Sequence, residues 1–144
     1  MKEIFDPIRK QWVSATPEEI VRQQWLNYMV GTLGFPKELI AIEKELKMLP
    51  HLLDEGASLP LRRVDIMSFT QVKGTLKPLL LLECKQVPLT HRALSQVVAY
   101  NYYVKAPYVG IVGKEGILLE HIRKSGSYQT FMLPSYEQLI ESLN

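Results

Sequence analysis

Two short segments of this chain hold residue types that can cleave a phosphodiester. The first is Arg62-Arg63-Val64-Asp65-Ile66-Met67-Ser68-Phe69, and the second is Pro78-Leu79-Leu80-Leu81-Leu82-Glu83-Cys84-Lys85. Both read as strands. Side chains alternate faces along a strand, so Glu83 and Lys85 share one side while Cys84 points to the other, toward an apolar layer. If the Asp65 strand pairs beside the Glu83 strand, two carboxylates and one ammonium converge. A phosphodiester is anionic and repels hydroxide, so a divalent ion is needed to neutralise charge and activate a water. Mg²⁺ suits the task, with Mn²⁺ as substitute. It takes oxygen ligands and keeps several waters, so Asp65, Glu83 and the Cys84 backbone carbonyl would suffice to hold it. Lys85 would orient or help deprotonate the attacking water and stabilise the charge on phosphorus.

The elements that must position these residues follow from local signals. Residues 4 to 13 read as a hairpin turning at Asp6-Pro7. Thr16 then caps a helix that runs to about Leu33 and stops at Gly34. Ile40 to Leu46 reads as a core strand, and Pro50 to Pro60 as a loop flanking a cleft. The two chemistry-bearing strands are joined through Gln71 to Lys77, with a hairpin turn at Lys73-Gly74. A helix from about Leu89 to Val104 ends before Pro107 and leads by crossover to a strand at Tyr108 to Val112. Gly116 to Arg123 and Ser127 to Leu133 form a further hairpin around Ser125-Gly126, and Ser135 opens a terminal helix. The fold class is therefore α/β (α+β), a core ordered α-β-β-β-α-β around a mixed central sheet flanked by helices, with an added C-terminal hairpin and helix.

Asp65 followed by Glu83-x-Lys85 resembles the PD-(D/E)XK nuclease signature, most closely as it stands in the N-terminal nuclease domain of type I restriction enzyme R subunits. The resemblance spans most of the chain. It includes Ile4-Phe5-Asp6-Pro7, the run from Thr16 to Gln23, Gly34-Phe35-Pro36-Lys37, Arg63-Val64-Asp65-Ile66, Pro78 to Lys85, and Gln96 to Asn101. Short motifs arise by chance, but their order along strand, strand and helix narrows the match. It departs from the family pattern in two places: Val64 stands where a proline or small residue is usual before the aspartate, and Gln86-Val87-Pro88 follows Lys85 in place of a small residue and proline.

The resemblance implies a restriction-endonuclease-like core and Mg²⁺-dependent hydrolysis of DNA by direct water attack. It also implies roles for further residues. Gln96 and Tyr100 resemble the Gln-x-x-x-Tyr motif of RecB-like nucleases and, four apart on one helix face, could both meet substrate. The alternative for both is the edge of an apolar stripe made by Leu94, Val97 and Val98. The first helix of this fold commonly adds an acidic residue, for which Glu19 is the candidate. Thr16, Pro17 and Glu19 equally spell a capping box, and Glu18, four residues before Arg22, is the other possible ligand. Arg22 and Gln23 belong to the resembling block and would contact phosphate or buttress the site.

Composition bounds the rest. The 144 residues, 47% hydrophobic, suffice for one domain with a real core, and a single domain over 1–144 is expected. The formal charge of +2 is compatible with nucleic acid without requiring it. Arg62 and Arg63 adjoin the proposed metal ligand, so one of them should lie near a bound phosphate. The other should face solvent. A single cysteine forms no internal disulfide, which fits a reducing cytoplasm. No signal peptide, membrane-spanning run, repeat or phosphate-binding Gly-Lys loop occurs, so a motor or specificity function would come from a separate protein. His51, His91 and His121 are expected to be structural or at the surface. Cleavage of duplex DNA would be served by a homodimer. The alternative is a nuclease-like module that binds nucleic acid or a partner protein with little turnover.

Overall fold

The computed structural model of the chain describes residues 2–122, 127–130 and 132–143. A two-stranded hairpin opens the chain: β1 (Glu3–Asp6) pairs antiparallel with β2 (Gln11–Ser14). Helix α1 (Pro17–Gly31) follows, with Thr16 accepting a hydrogen bond from the Glu19 amide at 3.1 Å. A threonine N-cap and a proline in the first turn explain why the helix starts there. The expected capping box is half formed, because the Glu19 carboxylate turns to Arg9, Arg22 and Gln23. The helix ends three residues before Gly34, which takes a left-handed φ of +74° while the Phe35 amide bonds back to the Met29 carbonyl.

The central sheet has the order β3 (Ile40–Glu45), β4 (Arg63–Val72), β5 (Thr75–Cys84), β6 (Tyr108–Val112), β7 (Ile117–His121), β8 (Ser127–Thr130). Every neighbouring pair is antiparallel except β5–β6, which is parallel and bridged by α2 (His91–Val104). A parallel pair needs a long crossover, and α2 supplies it. The order α1-β3-β4-β5-α2-β6 is that of a restriction-endonuclease-like core. Lys73 and Gly74 both have positive φ and close a two-residue β4–β5 turn, so the strands run on to Val72 and Thr75 and are longer than expected. Ser125-Gly126, the expected turn between β7 and β8, lies outside the described residues.

One apolar layer lies between the sheet and α1 with α3 (Tyr136–Glu141), built around Val21, Leu26, Met29, Ile66, Leu80, Leu82 and Leu139. The other lies under α2 and contains Val64, Met67, Leu81, Leu94, Val97 and Val104. The segment expected as a loop is a 3₁₀ helix, Pro50–Ser58, preceded by a short 3₁₀ turn at Leu46–Met48. Leu46, Leu49 and Leu52 are fully buried there. Their three-residue spacing is the period of a 3₁₀ helix, so one apolar edge docks on the sheet. At the centre, Gly110 lets β7 come close: a Cβ there would meet the Leu118 carbonyl oxygen at 2.8 Å.

Candidate active site

The strand alternation breaks where the chemistry is expected. Val64 packs in the layer under α2, whereas Ile66, two residues on, packs in the layer under α1. Between them Asp65 is 7% exposed, and its Oδ2 accepts a hydrogen bond from the Cys84 amide at 2.8 Å. The β4–β5 register begins at Ile66↔Leu82, so the carboxylate takes over just as the two strands part. On β3 the register passes from Ile42↔Ile66 to Lys44↔Val64, which sets Glu43 opposite Asp65. Glu43 has φ +52°, a left-handed conformation unusual for a residue with a Cβ, and its carboxylate comes to the α1 side.

Three carboxylates meet on that side. One oxygen from each of Glu18, Glu43 and Asp65 lies within 4.8 Å of the others, a set that could hold a metal ion. All donors are oxygen, which suits a hard cation. Between them sits the guanidinium of Arg22: Nη2 is 3.1 Å from Glu18 and 3.5 Å from Asp65 and also bonds Glu43, while Nη1 donates to Glu19 at 2.8 Å. Arg22 is 2% exposed and so does not reach solvent-borne phosphate from this position. Glu19 is also buried, clasped by Arg9 at 2.5 Å and by Gln23 at 3.1 Å. Arg9 in turn bonds Asp6 at 2.5 Å, tying the β1–β2 hairpin to the helix. Glu18 is held above its ordinary pKa, first by burial and then by the Asp65 charge, with Arg22 opposing.

Glu83 faces the α2 side. Its carboxyl adjoins Asp65, and its pKa is pushed up from 4.5 to about 8 by burial first, then by the Asp65 charge and their shared hydrogen bond. Arg62 and Lys85 pull in the opposite direction. Oxygen Oε2 of Glu83 is buried and unbonded, with the Arg62 guanidinium 3.8 Å away. Arg62 also lies over the Tyr100 ring, 3.9 Å from its centroid. The Tyr100 hydroxyl is buried without a hydrogen-bond partner, and burial pushes its pKa upward. Arg63 is exposed and stands 3.8 Å from Glu45.

Lys85 begins the segment after β5, its amide bonded to the Val112 carbonyl at 2.8 Å. It lines an open cleft of about 420 Å³ with Gln86 to Leu89 and Gly113 to Ile117. Gln96 is exposed on α2, one turn before Tyr100. Cys84 is buried among apolar side chains, with its thiol pKa raised by burial first. A residue's N–H and C=O point to the same strand edge, so the Cys84 carbonyl shares the edge on which its amide meets Asp65.

Asp65, Glu83, Arg62 and Tyr100 are thus gathered at one place, with Arg22 and Glu19 behind Asp65 and Arg63 turned away. Sequence reasoning missed Glu43 and the contact of Arg9 with Glu19. A signal for Glu43 was present, since it is a carboxylate directly after Ile40-Ala41-Ile42 in a core strand. Arg9 has a local partner in Asp6, but nothing local marks its contact with Glu19, ten residues away. His51 bonds the Val104 carbonyl at 2.7 Å, and His121 stacks on Tyr108, so both are structural. No helix among the described residues is long and apolar enough to cross a membrane.

A restriction-endonuclease-like core whose parting strands carry a carboxylate cluster defines the class of protein. Residues 17–133 match the family described as type I restriction enzyme R protein N terminus, and the chain belongs to that family. No curated protein and no solved structure matches it.

Proposed function

We propose that the chain is a metal-dependent nuclease domain that hydrolyses DNA phosphodiester bonds by direct attack of water. The observation that carries this reading is the position of Asp65, which joins Glu18 and Glu43 on one side and Glu83 on the other. Four carboxylates are brought to the split end of two strands, and family membership makes DNA the substrate of choice.

Asp65, Glu83 and the Cys84 carbonyl would hold Mg²⁺ or Mn²⁺, and Glu18, Glu43 and Asp65 would offer a second place for a divalent ion on the α1 side, sharing Asp65 with the first. The ion, when bound, supplies charge neutralisation and a more acidic water. The protein's own groups do the rest. Lys85 orients the water and offsets charge on the pentacovalent phosphorus. Arg62, half exposed beside Glu83, receives the phosphate, and Tyr100 fixes Arg62 by offering its ring face. Gln96 stands on the exposed face of α2 where substrate would pass. Glu19 acts behind these groups by holding Arg22. Association with a separate motor or specificity protein, and pairing of two copies for duplex cleavage, complete the proposal.

The test is cleavage of plasmid, linear duplex and single-stranded DNA with Mg²⁺ or Mn²⁺, comparing the wild type with Asp65→Asn and Lys85→Ala. Metal-dependent cleavage that both substitutions abolish supports the proposal. Inactivity of the wild type on every substrate, with DNA binding indifferent to metal, would favour a binding module instead.

A further inference from the structure

We infer that Arg22 is a positioning residue that serves as the resident cation of the acidic cluster and must yield part of its grip when a divalent ion enters. The inference rests on reading the cluster as a metal centre. A single atom, Arg22 Nη2, touches one oxygen of Glu18, of Glu43 and of Asp65. Those are the three residues whose oxygens lie within 4.8 Å of one another. The guanidinium nitrogen and an ion therefore seek the same place.

Electrostatics explains why a cation is built in. Three carboxylates at this separation, one of them buried and two half-exposed, repel one another, and without a counter-charge the pocket would take up protons or open. Arginine cannot leave by losing its proton, so it must move or share. The structure provides the means. Nη1 is anchored outside the trio, on Glu19 at 2.8 Å, and Glu19 is itself held by Arg9 and Gln23. Arg22 can thus pivot about Nη1 while Nη2 leaves. Its Nε is buried and unpartnered, a spare donor that can donate to a new oxygen after such a turn. The contacts also reach Asp6 through Arg9, so the turn would be felt at the β1–β2 hairpin.

A residue that merely braces the carboxylates would strengthen metal binding. A resident cation weakens it, because the ion must first displace a charge-assisted contact. Calorimetric titration of Mn²⁺ alone into the full chain, with thermal unfolding alongside, separates the two. Arg22→Gln should unfold at lower temperature than wild type without metal, yet bind Mn²⁺ about tenfold tighter and gain more from it. Equal or weaker binding by folded Arg22→Gln overturns the inference while leaving the metal centre standing.

Should Arg22→Gln not fold without metal, the wild type still decides. The Arg22 Nε–H resonance, identified by its loss in Arg22→Lys, should shift as Mg²⁺ saturates the protein. An unmoved signal at saturation overturns the inference. Failure of both proteins to bind any divalent ion removes the metal centre and this inference with it.

Discussion

Asp65 accepts the Cys84 amide at 2.8 Å, a side chain standing in for the strand partner that β4 would otherwise provide. The same carboxylate has its other oxygen 3.5 Å from Arg22. It is therefore both part of the sheet and part of the cluster, and substitutions can separate the two roles.

Asparagine at position 65 keeps an oxygen for the Cys84 amide but no charge for a cation. Asp65→Asn should stay within about 1 kcal/mol of wild-type stability without metal, whereas Asp65→Ala leaves a buried amide unpaired and should lose about 1–3 kcal/mol. Both should lose divalent-ion binding. Urea unfolding with and without Mn²⁺ checks this, and retained metal stabilisation in Asp65→Asn would remove Asp65 from the ligand set.

Glu83 makes the protein pH-sensitive in a definite direction. Its pKa is about 8 in the fold against an ordinary 4.5, so the folded state holds a proton that the unfolded chain has released across that window. The stability from the protonated form is complete below 4.5 and is lost as pH rises through 8. Glu83→Gln should flatten this loss, so its melting temperature should gain on wild type between pH 5 and 9. Metal binding should expel the proton, with about one released at pH 7 and few at pH 9.5, measurable by calorimetry in buffers of different ionisation enthalpy. Proton release independent of pH would contradict the assignment.

Arg62 and Arg63 are neighbours with different surroundings, and their substitutions should diverge. Arg62→Ala should weaken DNA binding, lower its salt slope by about 1, and cut cleavage roughly tenfold. It should also move the Glu83 midpoint upward, since Arg62 lowers that pKa. Arg63→Ala, 61% exposed beside Glu45, should change stability by no more than about 0.5 kcal/mol. Fluorescence anisotropy across a salt series distinguishes them, and equal losses in the two variants would count against a phosphate role for Arg62.

Much of the fold was legible because its signals are local. Thr16-Pro17 starts α1, Lys73-Gly74 turns β4 into β5, and Pro107 follows α2, each through contacts or backbone preferences confined to a few residues. The 3₁₀ helix at 50–58 was not legible as such, because proline, glycine and serine read as loop while its leucines buried themselves on the sheet. Of the candidate site, Asp65 and Glu83 came from motif spacing. The pairing of Glu43 with Asp65 depends on strand register, and that of Arg9 with Glu19 on a contact ten residues apart, so neither pairing is encoded locally. Asn101, read within the resembling block, turns out to clasp the Ala106 backbone at 2.9 Å and so to finish α2.

Glu43 is held at φ +52°, where a residue with a Cβ gives up about 1 kcal/mol that glycine or asparagine would not. Stability alone would drive the position toward those residues within any lineage. A glutamate there costs stability, and its place beside Glu18 and Asp65 in the carboxylate cluster is what that cost would serve. If the cluster holds a cation, relatives that keep Asp65 but carry glycine or asparagine at this position should bind it more weakly and fold more stably.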